Sequence, residues 1–275
     1  MKLRLTPASR GAHWVRQGFV IFFRQPLGFA ALFASFLMLL FLSLLLPYVG
    51  SLLLLAVLPL ASLGFMIGTR MALSGQMPMP RVFVEPLRAG RPRRVAMLQL
   101  GVLYALATAL IMWLSDVVDG GALDTLMQTM SNSAKSPEVV QQQLSDPRLQ
   151  TGLLLRFGLA GLLSVPFWHA PALVHWGGQS AAKALFFSLM ACWRNRGAFT
   201  VYVLTWTAVI LLFAVLANLL FALLGQVQLM AMAAMPASLI FSTVFYASLY
   251  FTFADCFDMD AVDTEPAMPL DTRLP

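Results

Sequence analysis

Residues 22–47 read FFRQPLGFAALFASFLMLLFLSLLLP: an arginine and a proline, then a wall of leucine, phenylalanine and alanine in which residues 27–46 carry no charge. A helix rises 1.5 Å per residue, so about 20 apolar residues cross the roughly 30 Å of bilayer hydrocarbon. The stretch therefore reads as a membrane span. A cleaved signal peptide would have a short basic lead, an apolar core of about 7–15 residues and a small-residue cleavage site. Here the lead is 26 residues long and a second apolar run, 48–69, follows at once.

Outward from this stretch, apolar windows of span length recur at 95–115, 152–175, 198–223 and 229–253. The composition agrees. Hydrophobic residues make up 59% of the chain and charged residues 11%, against about 45–50% and 25% in soluble domains. The expected fold is all-α, a polytopic membrane protein of six transmembrane helices.

Lysine and arginine orient such proteins, because cytoplasmic flanks are enriched in them. Five lie ahead of the first span (Lys2, Arg4, Arg10, Arg16, Arg24), six between the second and third (Arg70, Arg81, Arg88, Arg91, Arg93, Arg94), three before the fifth (Lys183, Arg194, Arg196), and Arg273 near the end. The other side holds only Lys135, Arg148 and Arg156. Both termini are thus expected in the cytoplasm, the chain being a multi-pass membrane protein. Three regions follow: a cytoplasmic amphipathic interfacial segment, 1–26; a six-helix transmembrane domain, 27–253, with a periplasmic loop at 116–150; and an acidic, disordered cytoplasmic tail, 254–275. Cys192 and Cys256 fall beside the cytoplasmic segments, where thiols stay reduced, so no disulfide framework is expected.

FFRQPLGF (22–29) aligns with CWRNRGAF (192–199), Arg24 meeting Arg194 and Phe29 meeting Phe199. GRPRRVAM (90–97) is a poorer third copy. A threefold parallel repeat of interfacial helix, basic turn and helical hairpin would account for the pattern, with the middle copy carrying the 116–150 insertion. The competing account is that leucine-rich chains align with themselves and basic turns express the positive-inside rule. With its amphipathic start and its most specific piece, GFVIFFRQPLGF (18–29), the layout resembles a family of proteobacterial inner-membrane proteins without an assigned activity. It is also similar in outline to the membrane domain attached to some glycerophosphodiester phosphodiesterases. The resemblance implies six spans and brings no functional residues; the phosphodiesterase catalytic domain is missing from this sequence.

Few side chains offer chemistry. Ionisable groups at mid-depth mark function because they are costly there, yet the apolar windows hold little beyond Asn218 and hydroxyls. His169 and His175 are six residues apart, about 240° around a continuous helix, so they do not form an i, i+4 metal pair; beside Trp168 and Trp176 they read as an interfacial aromatic belt. Asp255, Asp258, Asp260 and Asp263 lack the glycine and distal glutamate of a calcium loop. No Gly-x-Ser-x-Gly, phosphate-cradling glycine loop or His-Glu-x-x-His occurs.

No catalytic, cofactor-binding or metal-binding residues are therefore assigned, no cofactor or nucleic-acid partner is expected, and the chain is expected not to be an enzyme. Arg10, Arg16, Arg24, Arg91, Arg93, Arg94, Arg194 and Arg196 are the candidates for contact with anionic lipid. Gly64, Gly68, Gly101 and Ala105, with Ala72 and Ala109, mark small faces for close helix packing, within the chain or in a homo-oligomer. The favoured function is a non-catalytic accessory, scaffold or partner-binding membrane protein. A carrier of a small or amphiphilic solute is the alternative, favoured by repeats and disfavoured by the lack of ionisable groups at mid-depth. An intramembrane enzyme ranks third, because no acid–base cluster gathers at one depth.

Overall fold

The computed structural model describes residues 2–46, 49–131, 137–226 and 229–258. Helix α1 (Arg10–Arg24) leads to α2 (Pro26–Leu44) and α3 (Val49–Leu73), then a 3-10 turn (Pro80–Phe83), α4 (Glu85–Arg88) and the long α5 (Arg91–Asp119). Two short helices, α6 (Ala122–Ser131) and α7 (Pro137–Leu144), precede α8 (Pro147–Phe167), α9 (Ala170–His175), α10 (Ala181–Arg194), α11 (Arg196–Leu223) and α12 (Leu229–Cys256). Among the described residues six segments are long and apolar enough to cross a membrane, the fourth being α8 and α9 together.

Local chemistry sets these boundaries. Gln25 leaves the helical region (φ −140°, ψ 60°) because the ring of Pro26 disfavours helix at the preceding residue; proline then opens α2, where its missing N–H costs nothing. α5 ends on Gly120 at φ 62°, a left-handed C-terminal stop suited to glycine. Asp146 caps α8 by accepting the Arg148 N–H, with Pro147 in the first turn. The 116–150 stretch, expected as a loop, is largely helical, since α5 runs on to Asp119 and α6 and α7 follow.

Span four is not the continuous helix expected over 152–175. Pro171 supplies no N–H, and its ring clashes with the carbonyl four residues back, that of Phe167, where α8 ends. The chain restarts as α9 at Ala170.

Both ends of the described chain meet on one face, the terminal face. Leu3 pairs antiparallel with Phe257; the Arg4 N–H donates to the Cys256 carbonyl at 2.8 Å and the Asp258 N–H to the Lys2 carbonyl at 3.0 Å. The boundary drawn at 253–254 therefore moves: α12 continues through Cys256, and Asp255 and Asp258 belong to the folded unit. Tail residues 259–275 lie outside the described residues.

The segment expected to lie in the interface, α1, packs against protein on one side. Trp14, Val15, Gly18, Ile21 and Phe22 are buried against α11, α12 and α3. Glycines allow this approach: a side chain at Gly11 would meet the Ala198 carbonyl and the Tyr202 backbone N, and one at Gly18 would stand 2.8 Å from the Ser248 Cβ. Arg16 and Arg24 stay exposed on the outer side.

The largest buried side chains, among them Trp14, Phe29, Phe65, Tyr202 and Phe253, form one core with α1 running through it. Away from the terminal face the bundle opens. Half of the membrane-crossing window of α3 is buried in the protein, against 6% for α11. From Val203 to Leu223, α11 presents leucine, valine and isoleucine outward. α1 and α10 pack on different partners and the middle segment offers two single turns in their place, so a threefold repeat is not established.

Candidate functional site

Three groups of side chains lie at or near the terminal face. The first joins the two ends of the chain. Asp255, one residue before the end of α12, accepts from Arg10 at 2.7 and 2.8 Å and from the Trp14 indole N–H at 2.6 Å. The carboxylate's hydrogen bond is the main reason the Arg10 pKa lies above its ordinary value, so this lipid-interface candidate is a charged partner of α12. Asn195, buried between α10 and α11, accepts from the Thr6 N–H and hydroxyl and donates to the Arg4 and Ala191 carbonyls. Arg4 adds an ion pair with Asp258 at 3.1 Å.

The second group fills the break in span four. In an unbroken helix the His169 N–H would bond the Val165 carbonyl. Instead Ser188 of α10 stands in that link: its hydroxyl oxygen accepts from the His169 N–H at 2.9 Å and its proton goes to the Val165 carbonyl at 3.2 Å. Inserting a side chain into the helical ladder is a known way to keep a break satisfied. Thr252 donates to the Leu249 carbonyl and accepts from the Trp168 indole at 3.2 Å. Its proton being used, it also accepts from His169 Nε2 at 3.1 Å, which assigns the ring hydrogen to Nε2. His169 is not part of an aromatic belt at the interface: it is wholly buried, ringed by Phe199, Phe253 and Phe257.

The third group lines cavities that meet at Trp168. One of about 530 Å³ lies between α8, α10 and α11; one of about 460 Å³ is faced by Tyr202, Trp206 and Phe241; a smaller one of about 160 Å³ is faced by Tyr104 and Phe167. The walls are mainly aromatic and aliphatic. Their polar groups include engaged hydroxyls, such as Tyr202, which donates to Ser248 at 2.7 Å because the Ser248 proton is held by the Phe245 carbonyl, together with the indole of Trp206 and the guanidinium of Arg196. Asn218 lines none of these cavities.

The other candidates fall as follows. Arg91, Arg93, Arg94, Arg194 and Arg196 are exposed at the terminal-face ends of α5, α10 and α11, and Arg196 lies over the Trp193 ring at 6.0 Å. Arg70 lies over Trp176 at 5.9 Å beside a polar cleft of about 330 Å³ that Arg81 and Glu85 share. Gly64 faces the Phe83 ring, Gly68 faces Leu32, Gly101 faces the Ala56 carbonyl, and Ala105 is buried; these small faces pack inside the chain. On the far side Arg156 pairs with Asp116 and with the buried Asp119. Among the described residues no cluster of three metal-ligating side chains occurs.

Sequence reasoning missed the partners of the N-terminal segment. Asp255 and Asp258 looked like the start of a solvated tail, and nothing in their spacing points across 245 residues to Arg10. Gly11 and Gly18 did leave a signal: two glycines seven apart, two turns along one face of an amphipathic helix.

No family model matches the chain, and no solved structure matches it. It is 34% identical over 270 residues to a protein of Burkholderia thailandensis described as a "Probable inner membrane protein", over 98% of this chain and 97% of the relative. With that identity along almost the whole length of both chains, and six apolar helices of spanning length, the chain belongs to that relative's family of multi-pass inner-membrane proteins.

Proposed function

We propose that this chain is a non-catalytic membrane protein that acts by binding, an accessory or scaffold whose terminal face lies in the cytoplasm against anionic lipid and whose open side receives a partner. The carrying observation is the contrast along α11. Its first turns are locked to α1 through Ala198, Tyr202 and Trp206, whereas the following five turns expose apolar side chains and pack on little else. Helices in a membrane associate through close packing rather than through hydrophobicity alone. A span anchored at one end and unpacked along the other is suited to a second protein.

The excess of arginine on the terminal face supports the cytoplasmic assignment. Single-cysteine labelling tests it: position 130 is reachable from outside intact cells and position 85 is protected, while outside labelling of 85 contradicts it. The outline similarity to membrane domains attached to phosphodiesterases fits the same reading, a module that accompanies chemistry done elsewhere.

A second reading, a carrier of an amphiphile, is favoured by the break at Trp168–His169 beside the laterally open cavities, since transporters build binding sites at interrupted helices. Reconstitution separates the two. In liposomes with a fluorescent phospholipid, the accessory reading expects no acceleration of transbilayer exchange, and a protein-dependent acceleration would replace it with the carrier.

A further inference from the structure

The groove between α8, α10 and α11 is built for one molecule, and we infer that it holds a single anionic phospholipid, an acyl chain along the groove and the phosphate on Arg196. This deepens the anionic-lipid part of the proposed function by naming a discrete site. α8 and α11 make almost no direct contact, and the space of about 530 Å³ between them is floored by Trp168 and walled by Gly161, Val165, Val203 and Leu204. Its size falls within the range of ligand sites, roughly 300–1,000 Å³. It lies between two membrane-crossing segments, so the apolar matter at its mouth is lipid.

The two ends of the groove differ in character. Away from the terminal face the lining is Gly161, Val203 and Leu204, with the Ser164 hydroxyl satisfied on its own helix by the Gly161 carbonyl. At the terminal face it ends on Arg196, the first residue of α11, whose guanidinium is exposed and supported on the Trp193 ring. A planar cation fixed at the headgroup level is complementary to a phosphate, and an apolar slot running away from it is complementary to the chain beneath. A transmembrane helix of another protein would fill the slot but leave the arginine without an anion.

Gly161 gives the proposal a clean test, because a Cβ there would meet nothing within 4 Å: a larger side chain enters the groove without striking the fold. The full chain is purified, exchanged into mixtures of phosphatidylglycerol and phosphatidylcholine, and read by native mass spectrometry for retained phospholipid, alongside Gly161→Trp, Gly161→Leu, Arg196→Gln and Leu162→Trp. Leu162 is exposed on the same helix and does not line the groove.

The wild type and Leu162→Trp retain one phosphatidylglycerol; both Gly161 variants lose it; Arg196→Gln retains it about fivefold less well, the loss expected for one interfacial arginine. Equal retention by the Gly161 variants, equal loss in Leu162→Trp, or no preference for phosphatidylglycerol overturns the site. An Arg91→Gln, Arg93→Gln, Arg94→Gln variant separates the wider reading: loss of loosely held anionic lipid is expected there, with the single groove lipid kept. If that variant sheds no loose lipid while the Gly161 variants still lose the tight one, the general reading fails and the groove site stands.

Discussion

Arg10 and Asp255 face each other through two parallel hydrogen bonds, at 2.7 and 2.8 Å, across 245 residues of sequence. The pair joins the first helix to the last, and the same carboxylate holds the indole of the wholly buried Trp14. The two partners are not equivalent. Arg10 is over one-third exposed, so solvent screens its part and Arg10→Gln should cost only about 0.2–1 kcal/mol. Asp255→Ala also leaves the Trp14 N–H buried without an acceptor, a further cost of about 1–3 kcal/mol. Thermal unfolding in detergent should rank Asp255→Ala well below Arg10→Gln, and equal losses would show that the indole bond contributes nothing.

The Ser188 hydroxyl bridges the two helical groups separated at the span-four break, so removing it strands a buried donor and weakens the acceptor's pairing. Ser188→Ala should destabilise the protein by about 1–3 kcal/mol. Ser188→Thr keeps the hydroxyl and should recover most of that loss. An alanine variant with an unchanged unfolding temperature would mean that the break satisfies itself.

The docking of α1 depends on its two glycines. Gly18→Val would place a branched side chain against Val244 and Ser248, 3.0 Å or less from both, and Gly11→Leu would strike the backbone of α11, which cannot yield. Both variants should release α1 and make the 10–24 segment sensitive to added trypsin in the purified protein, whereas Gly158→Leu, with nothing within 4 Å, should not. Protease resistance of Gly11→Leu equal to wild type would contradict this packing.

Cys192 lines the groove from α10, and burial raises its thiol pKa from an ordinary 9.0 to about 12. Only the thiolate reacts readily, so maleimide at pH 8 should label the folded protein slowly and the denatured protein fast. The sign for stability follows from the neutral form being the folded one. The contribution is present below the ordinary thiol value and is lost as pH rises from about 9 towards 12. Cys192→Ser, removing that titration, should unfold less steeply with pH over this window, and identical alkaline profiles would assign the transition elsewhere.

The six spans were legible because each is a long uncharged run, and a bilayer leaves few other ways to bury one. The Gln25–Pro26 turn was legible because proline restricts its predecessor in any context. The break in span four was also written in the sequence, as Pro171, but hydropathy averages over a window and passes through a proline flanked by alanine, leucine and valine. What no local pattern carries is pairing at long range. The Arg10–Asp255 bond, the Asn195 contacts to Arg4 and Thr6, and the seat of Ser188 in the helical link arise from tertiary packing, and the residues involved look like ordinary interfacial polar groups when read singly. His169 shows the same effect: beside Trp168 it has the composition of a membrane belt, and only the helix break turns it inward.

The far half of α11 is a binding surface that photocrosslinking in intact cells can read out position by position. A photoreactive amino acid is placed one position at a time at Leu212, Leu216 and Leu219, which are exposed, and at Tyr202, which is buried against α1 and α12. A discrete adduct of one size, to a second protein or a second copy of this chain, is expected from the three leucine positions and none from Tyr202. Lipid adducts alone at all three leucine positions, with no protein partner at any of them, would contradict it.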